Sequence, residues 1–195
     1  MTAPLILGAG PAGCAAAIAL AGAGIRPMVL ERHRETADAV CGGFLSWRTL
    51  DTRASLGFEA PEGHRVSTLR LFAGTRIAEA CLPGRAIGLS RQALDTRLQH
   101  RAVELGAGIE RGVSSRGWEN GRLLLADGAQ LTPGAFFLAT GKHDLRGFGR
   151  PRDSRQTVGI RVRLAAGPAL DRLAAGAIEL HLFRDGYCGL VLQEG

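Results

Sequence analysis

Leu5-Ile6-Leu7-Gly8-Ala9-Gly10-Pro11-Ala12-Gly13 opens the chain, and Val29-Leu30-Glu31-Arg32 closes the unit that it begins. The apolar run before Gly8 has the length and character of a buried parallel strand. Gly8, Gly10 and Gly13 then fall in G-x-G-x-x-G spacing. An Ala-rich stretch from Pro11 to Ala23 reads as a helix, and Pro27 to Leu30 as a second strand. Glu31 stands at that strand's tip, 31 − 13 = 18 residues past the third glycine. Strand, tight turn, helix, strand and terminal acid in that order make a dinucleotide fingerprint. Glycine is 28 of 195 residues, so the spacing alone would say little; its context carries the reading.

Each part of the motif has a physical task. Gly8 can take the backbone angles of a tight turn, Gly10 presents no side chain to a diphosphate, and Gly13 lets helix and strand approach. The helix N-terminus offers N–H groups and partial positive charge to phosphate. Pro11 suits the first helical turn, where its missing N–H costs little. An acid at position 31 suits a ribose hydroxyl and opposes a 2′-phosphate.

Composition narrows the class further. A chain of 195 residues with 46% hydrophobic residues is globular. The net charge of +6 comes mostly from Arg, since Lys142 is the only lysine among 24 basic residues. Those residues form no run and no stripe with aromatics, so no nucleic-acid partner is expected. Residues 1–25 carry no charged side chain. With no basic start, and with Gly8, Gly10, Pro11 and Gly13 interrupting, they do not read as a signal or membrane span. Cys14, Cys41, Cys81 and Cys188 have no C-x-x-C spacing, and the five histidines are scattered. The expectation is a cytoplasmic protein with no metal site and no integral membrane segment.

Downstream, Cys41-Gly42-Gly43 forms a glycine-rich loop ahead of a helical pattern from Ser46 to Gly57. Val66–Phe72 and Ile77–Leu82 flank a turn and read as a β-hairpin. Ser90 caps an amphipathic helix with Leu94, Leu98, Ala102 and Leu105 on one face. Arg91 in its first turn opposes the helix dipole, a cost that solvent tolerates and a bound anion would reverse. Ile109–Val113 is a short strand. Asn120-Gly121 and Asp127-Gly128 predict two hairpin turns, hence a three-stranded meander from Val113 to Leu131. Ala135–Ala139 reads as another buried strand ending on Thr140-Gly141. Thr157–Leu164, Ala177–Phe183 and Tyr187–Leu192 read as strands of a second sheet, with a helical turn at Leu170–Ala174.

These features resemble the FAD-dependent oxidoreductases of the aromatic hydroxylase and geranylgeranyl reductase type. The likeness rests on Gly8-Ala9-Gly10-Pro11-Ala12-Gly13 with Glu31-Arg32, on Cys41-Gly42-Gly43, on Ser90-Arg91 entering its helix, and on Ala139-Thr140-Gly141-Lys142. It implies an α/β Rossmann-like FAD-binding domain with a three-stranded β-meander, plus part of an antiparallel β-sheet substrate domain. The implied division is 1–64 and 88–150 for FAD binding, with 65–87 and 156–195 in the substrate domain. By the same resemblance Gly8, Gly10, Pro11, Ala12, Gly13, Glu31, Arg32, Cys41, Gly42, Gly43, Arg91, Val113, Thr140 and Gly141 bind the cofactor. Val113 matches a position whose backbone holds the adenine.

Two departures stand out. Thr140 occupies the place of an Asp in the hydroxylase motif, and the later Gly-Asp motif does not occur before Gly195. The chain is therefore expected to be the N-terminal half of a longer enzyme. The resemblance implies FAD as cofactor, NAD(P)H as transient reductant and a small organic substrate, either hydroxylated or reduced at a C=C bond. Cys41 is a candidate for a substrate-side donor, against a plain role as a small buried apolar residue. The alternatives are an NAD-binding Rossmann dehydrogenase and an inactive cofactor-binding module. The hairpin and meander oppose the first, because both interrupt the βα alternation.

Overall fold

A computed structural model describes residues 3–57, 63–151, 158–165 and 167–194. In chain order its elements begin β1 (Leu5–Leu7), α1 (Pro11–Gly22), β2 (Met28–Glu31), β3 (Phe44–Leu45) and α2 (Trp47–Ser55). Then come β4 (His64–Ala73), β5 (Arg76–Gly88), α3 (Arg91–Glu104), β6 (Gly108–Arg111), β7 (Ser115–Glu119) and β8 (Arg122–Leu125). The remainder are β9 (Gln130–Leu131), β10 (Phe136–Leu138), α4 (Pro168–Ala174), β11 (Ala177–Phe183) and β12 (Gly186–Val191). Contacts divide the chain into Met1–Ala37 with Leu94–Thr157, and Asp38–Ala93 with Val158–Gly195.

The first unit holds a parallel four-stranded sheet in the order β10-β1-β2-β6. The central strands β1 and β2 bury apolar residues on both faces, with Ile6, Val29 and Leu30 at most 2% exposed. Strand β10, expected to be buried, lies at the sheet edge instead and leaves Phe137 and Leu138 each 37% exposed. Helix α1 packs on β1, β2 and β10. It does so through small residues, Gly13, Cys14, Ala17 and Ala21, plus Ile18. The meander β7-β8-β9 forms a separate antiparallel sheet. Its Leu123 and Leu125 join Leu5, Leu7, Leu30 and Leu145 in one apolar cluster. Trp118 stacks on Phe136 with ring centroids 4.4 Å apart. The first turn of the meander is formed as expected: Asn120 and Gly121 have φ of 48° and 78°, the left-handed pair that a two-residue hairpin requires.

In the second unit the strand order is β12-β11-β4-β5-β3. The β4–β5 hairpin is longer than its apolar core predicted, reaching from His64 to Gly88. Pairing of β3 with β5, Phe44 opposite Gly88, brings the Cys41–Leu45 loop into this unit. The sheet is antiparallel except where β11 runs parallel to β4, Glu179 opposite Arg70. Arg70 there bonds Glu79 at 2.8 Å and Glu179 at 3.4 Å across three strands.

One expected strand is absent. Residues 158–164 have no strand pairing, and Thr157 lies outside the described residues. The alternation that predicted a strand is real, for Val158, Ile160, Val162 and Leu164 are all 63–85% exposed. The intervening Arg161 and Arg163 both reach the carboxylate of Asp38, at 2.8 and 3.1 Å. This segment is thus held by its charged side chains rather than by a ladder. Among the described residues no helix is long and apolar enough to cross a membrane.

Candidate dinucleotide site

At the C-terminal end of β1 the chain turns through Gly8, whose φ is +107°. A Cβ there would lie 2.5 Å from the carbonyl oxygen of Ala139, just past β10. At Gly13 a Cβ would overlap the carbonyl oxygen of Gly8. The first and third glycines are therefore demanded by the protein's own packing. Gly10 differs. Its φ of −77° and ψ of −175° are extended values open to any residue. What it contributes is a bare backbone at the N-cap of α1. No side chain caps this helix and no acid stands in its first turn. Pro11 brings no N–H, so Ala12 and Gly13 carry the first amides of an uncapped helix end.

Glu31 is bound into the same turn. One carboxylate oxygen accepts from the Ala9 N–H at 2.9 Å and the other from the His33 N–H at 2.9 Å. The backbone of Gly8 donates to Leu30 O, and that of Val113 donates to Glu31 O at 3.0 Å. Arg32 donates through Nε to His33 Nε2, and its Nη2 lies 2.8 Å from His143 Nε2. Across the sheet, the Thr140 hydroxyl donates to His143 O at 2.6 Å, and Gly141 turns the chain with φ +63°. Gly8, Gly10, Pro11, Ala12, Gly13, Glu31, Arg32, Val113, Thr140 and Gly141 thus all belong to the first unit, at or just beyond the carboxyl ends of its parallel strands and at the start of α1. Ligands of open α/β sheets lie at that end.

Beneath the turn is a polar group that no spacing rule marks. Gln99 of α3 is 4% exposed, and its Nε2 donates to Ala9 O at 2.8 Å. The Cys14 thiol reaches the same oxygen at 3.2 Å. Burial pushes that thiol up to about 12, helped by the negative charges of Asp95 and Glu31 and opposed by Arg111. Cys14 is therefore a protonated donor at neutral pH and not a nucleophile.

The remaining expected residues belong to the second unit. Gly43, at φ +69°, accepts through its carbonyl from Leu89 N at 2.7 Å. Gln193 Nε2 donates to Gly42 O at 3.4 Å, and a Cβ on Gly43 would run into that same amide. Half-buried Cys41 precedes them. Ser90 caps α3 as expected, its hydroxyl accepting from Ala93 N at 3.1 Å. The Ser90 N–H donates to Glu194 Oε1 at 2.7 Å. Arg91 follows directly as the first residue of α3.

A family model described as "FAD binding domain" matches residues 1–133, more than half of the chain. The chain belongs to that FAD binding domain family. Curated proteins yield no match. Among solved structures, this FAD-binding chain is 25% identical to the tetrameric form of 2-methyl-3-hydroxypyridine-5-carboxylic acid oxygenase, with a TM-score of 0.61 over 70% of this chain and 38% of that one. A geranylgeranyl bacteriochlorophyll reductase-like protein from Thermoplasma acidophilum superposes over 100% of this chain and 54% of its own, with a TM-score of 0.73 at 17% identity. A flavoprotein/dehydrogenase from Cytophaga hutchinsonii gives 0.71 over 98% and 52%, also at 17%. The last two likenesses establish the fold alone. The chain spans 38–54% of the length of these structures.

Proposed function

We propose that this chain is the FAD-bearing part of a flavin-dependent oxidoreductase that takes reducing equivalents from NAD(P)H and acts on a small organic molecule. The observation that carries the reading is the uncapped N-terminus of α1 beside a carboxylate fixed at the tip of β2. The donor set suits the group. Amides of Ala12 and Gly13 with the helix dipole suit a diphosphate, and bare Gly10 leaves it room. Each Glu31 oxygen accepts one backbone N–H and keeps a lone pair for a ribose hydroxyl. Backbone at Val113 suits the adenine end, and Arg32, Thr140 and Gly141 line the same strand ends. By the family resemblance, the Cys41-Gly42-Gly43 loop is assigned to the flavin end and Arg91 to an FAD contact.

When bound, FAD supplies the hydride and electron transfer chemistry. The residues of this chain bind, orient and shield. Cys14 takes no part in redox steps, since its thiol is buried and protonated. Cys41 is the candidate substrate-side donor of the glycine-rich loop. The scattered spacing of Cys14, Cys41, Cys81 and Cys188, with no C-x-x-C pair, is what favours a reducing cytoplasm as its location.

Purified protein tests the reading. It should carry the yellow absorbance of flavin, or take up FAD added to the apoprotein. FAD at about 100 times its Kd stabilises by about 2.7 kcal/mol, a rise of roughly 5–10 °C in Tm for a chain of this size. A colourless protein that gains stability with NAD and none with FAD overturns it.

A further inference from the structure

Both backbone polar groups of Ala9 are taken up by side chains of the protein. Its N–H is taken by Glu31, and its carbonyl oxygen receives both Gln99 Nε2 at 2.8 Å and the Cys14 thiol at 3.2 Å. The other end of the Gln99 amide is equally committed. Oε1 accepts from Thr36 Oγ1 at 2.8 Å and from the Arg111 guanidinium, which itself reaches Thr36 Oγ1 at 3.2 Å. Only one orientation of the amide satisfies a carbonyl at one end and two donors at the other. Arg111 lies opposite Glu31 in the β2–β6 register. Gln99 therefore spans from the end of the strand next to Glu31 to the centre of the glycine turn.

We propose that Gln99 is a positioning residue for cofactor binding: by holding the Ala9 carbonyl inward it fixes the peptide that leads into Gly10 and the phosphate-facing amides of α1. The proposal rests on FAD as the ligand of this turn. A carbonyl free to swing toward a diphosphate would repel it, and the amide donor prevents the swing. Arg111 strengthens that donor by polarising the amide from its oxygen end. The substitutions that keep its length cannot do both jobs. An ionised Glu cannot donate to Ala9 O, Lys and Arg cannot accept from Arg111, and Met fills the space without either bond. Loss of one such bond to a peptide is felt as a severalfold to tenfold change in equilibrium.

The test uses apoprotein, FAD titration by flavin fluorescence, Tm of the unliganded chain and phosphorus NMR of FAD at saturation. Gln99→Met keeps the volume, and Gln99→Glu keeps size and the Arg111 pairing while losing the donor. In both, FAD affinity should fall by about tenfold, ADP affinity by the same factor, and the diphosphate resonances should move. Unchanged affinity in either variant overturns the proposal. So does a fall in affinity that merely follows Tm while the resonances stay in place, since Gln99 would then only prop the fold. If the wild-type chain takes up no FAD at all, the cofactor reading fails instead.

Discussion

Gly13 lies so close to Gly8 that a methyl group on the one would overlap the carbonyl oxygen of the other. The contact joins backbone to backbone, so no side chain can yield to relieve it. Gly13→Ala should therefore destabilise the chain by about 2–3 kcal/mol, roughly 5–10 °C in Tm. Gly22, at the end of the same helix, has no atom within 4 Å of a built Cβ. Gly22→Ala should instead stabilise by about 0.5–1 kcal/mol through helix propensity. Thermal unfolding of the pair checks both signs within one element.

Cys14 should be silent toward thiol reagents at pH 8 in the folded chain, while exposed Cys81 and Cys188 react. A thiol raised to about 12 stays protonated in the fold after its unfolded counterpart, near 9.0, has ionised. Its contribution is thus complete below pH 9.0 and is lost as pH rises toward 12. Cys14→Ala should flatten the alkaline decline of stability over that window, and chemical unfolding at stepped pH measures it. An equal decline in both proteins would mean that burial does not hold the proton.

The motif at the start of the chain was legible because its parts are local. Gly8, Gly13 and Glu31 act within one strand–helix–strand unit, whose fixed geometry returns the chain so that residues at this sequence spacing meet at one turn. Asn120-Gly121 and the Ser90 cap were legible for the same reason. Long-range pairing left no such trace. Nothing near Phe44 announces its pairing with Gly88, and nothing in Ala177–Phe183 announces a parallel partner in β4. Val158–Leu164 shows the converse error, in which a local alternation is present but the ladder that it predicts is not. Gln99 was missed because a polar residue beside an apolar helix stripe reads as a solvent-facing one; only the fold places Ala9 above it.

Asp38 should give the chain an acid-labile tie. Burial raises its carboxyl, but the hydrogen bond from Arg161, the N–H of Gln92 and the charges of Arg161 and Arg163 outweigh that and hold it below the usual 3.8. A depressed acid stabilises above its unfolded value and loses that contribution as pH falls below 3.8 through its folded value. Asp38→Asn should be less stable than wild type by about 1 kcal/mol at pH 7, with the gap closing under acid. Arg161 also donates to the carbonyls of Asp38 and Ala39 at 3.0 and 3.1 Å, whereas Arg163 is 55% exposed. Arg161→Met should therefore cost about 1–2 kcal/mol and Arg163→Met at most about 0.5 kcal/mol.

Glu31 has two tasks, and one substitution separates them. Its carboxylate satisfies the N–H groups of both Ala9 and His33, one on each oxygen. Glu31→Gln keeps the size but replaces one acceptor by a donor, so one of those N–H groups must face an amide N–H. Leaving a part-buried donor unpaired costs about 1–3 kcal/mol, which the unliganded chain should show as a lowered Tm. FAD affinity should fall further than this structural loss alone, by about tenfold or more, because the variant also lacks the charge-assisted bond to ribose. The measurement is FAD titration beside Tm for Glu31→Gln, with Gly22→Ala as the control that leaves the turn intact. If Tm falls while FAD affinity holds, the carboxylate braces the turn and does not touch the sugar.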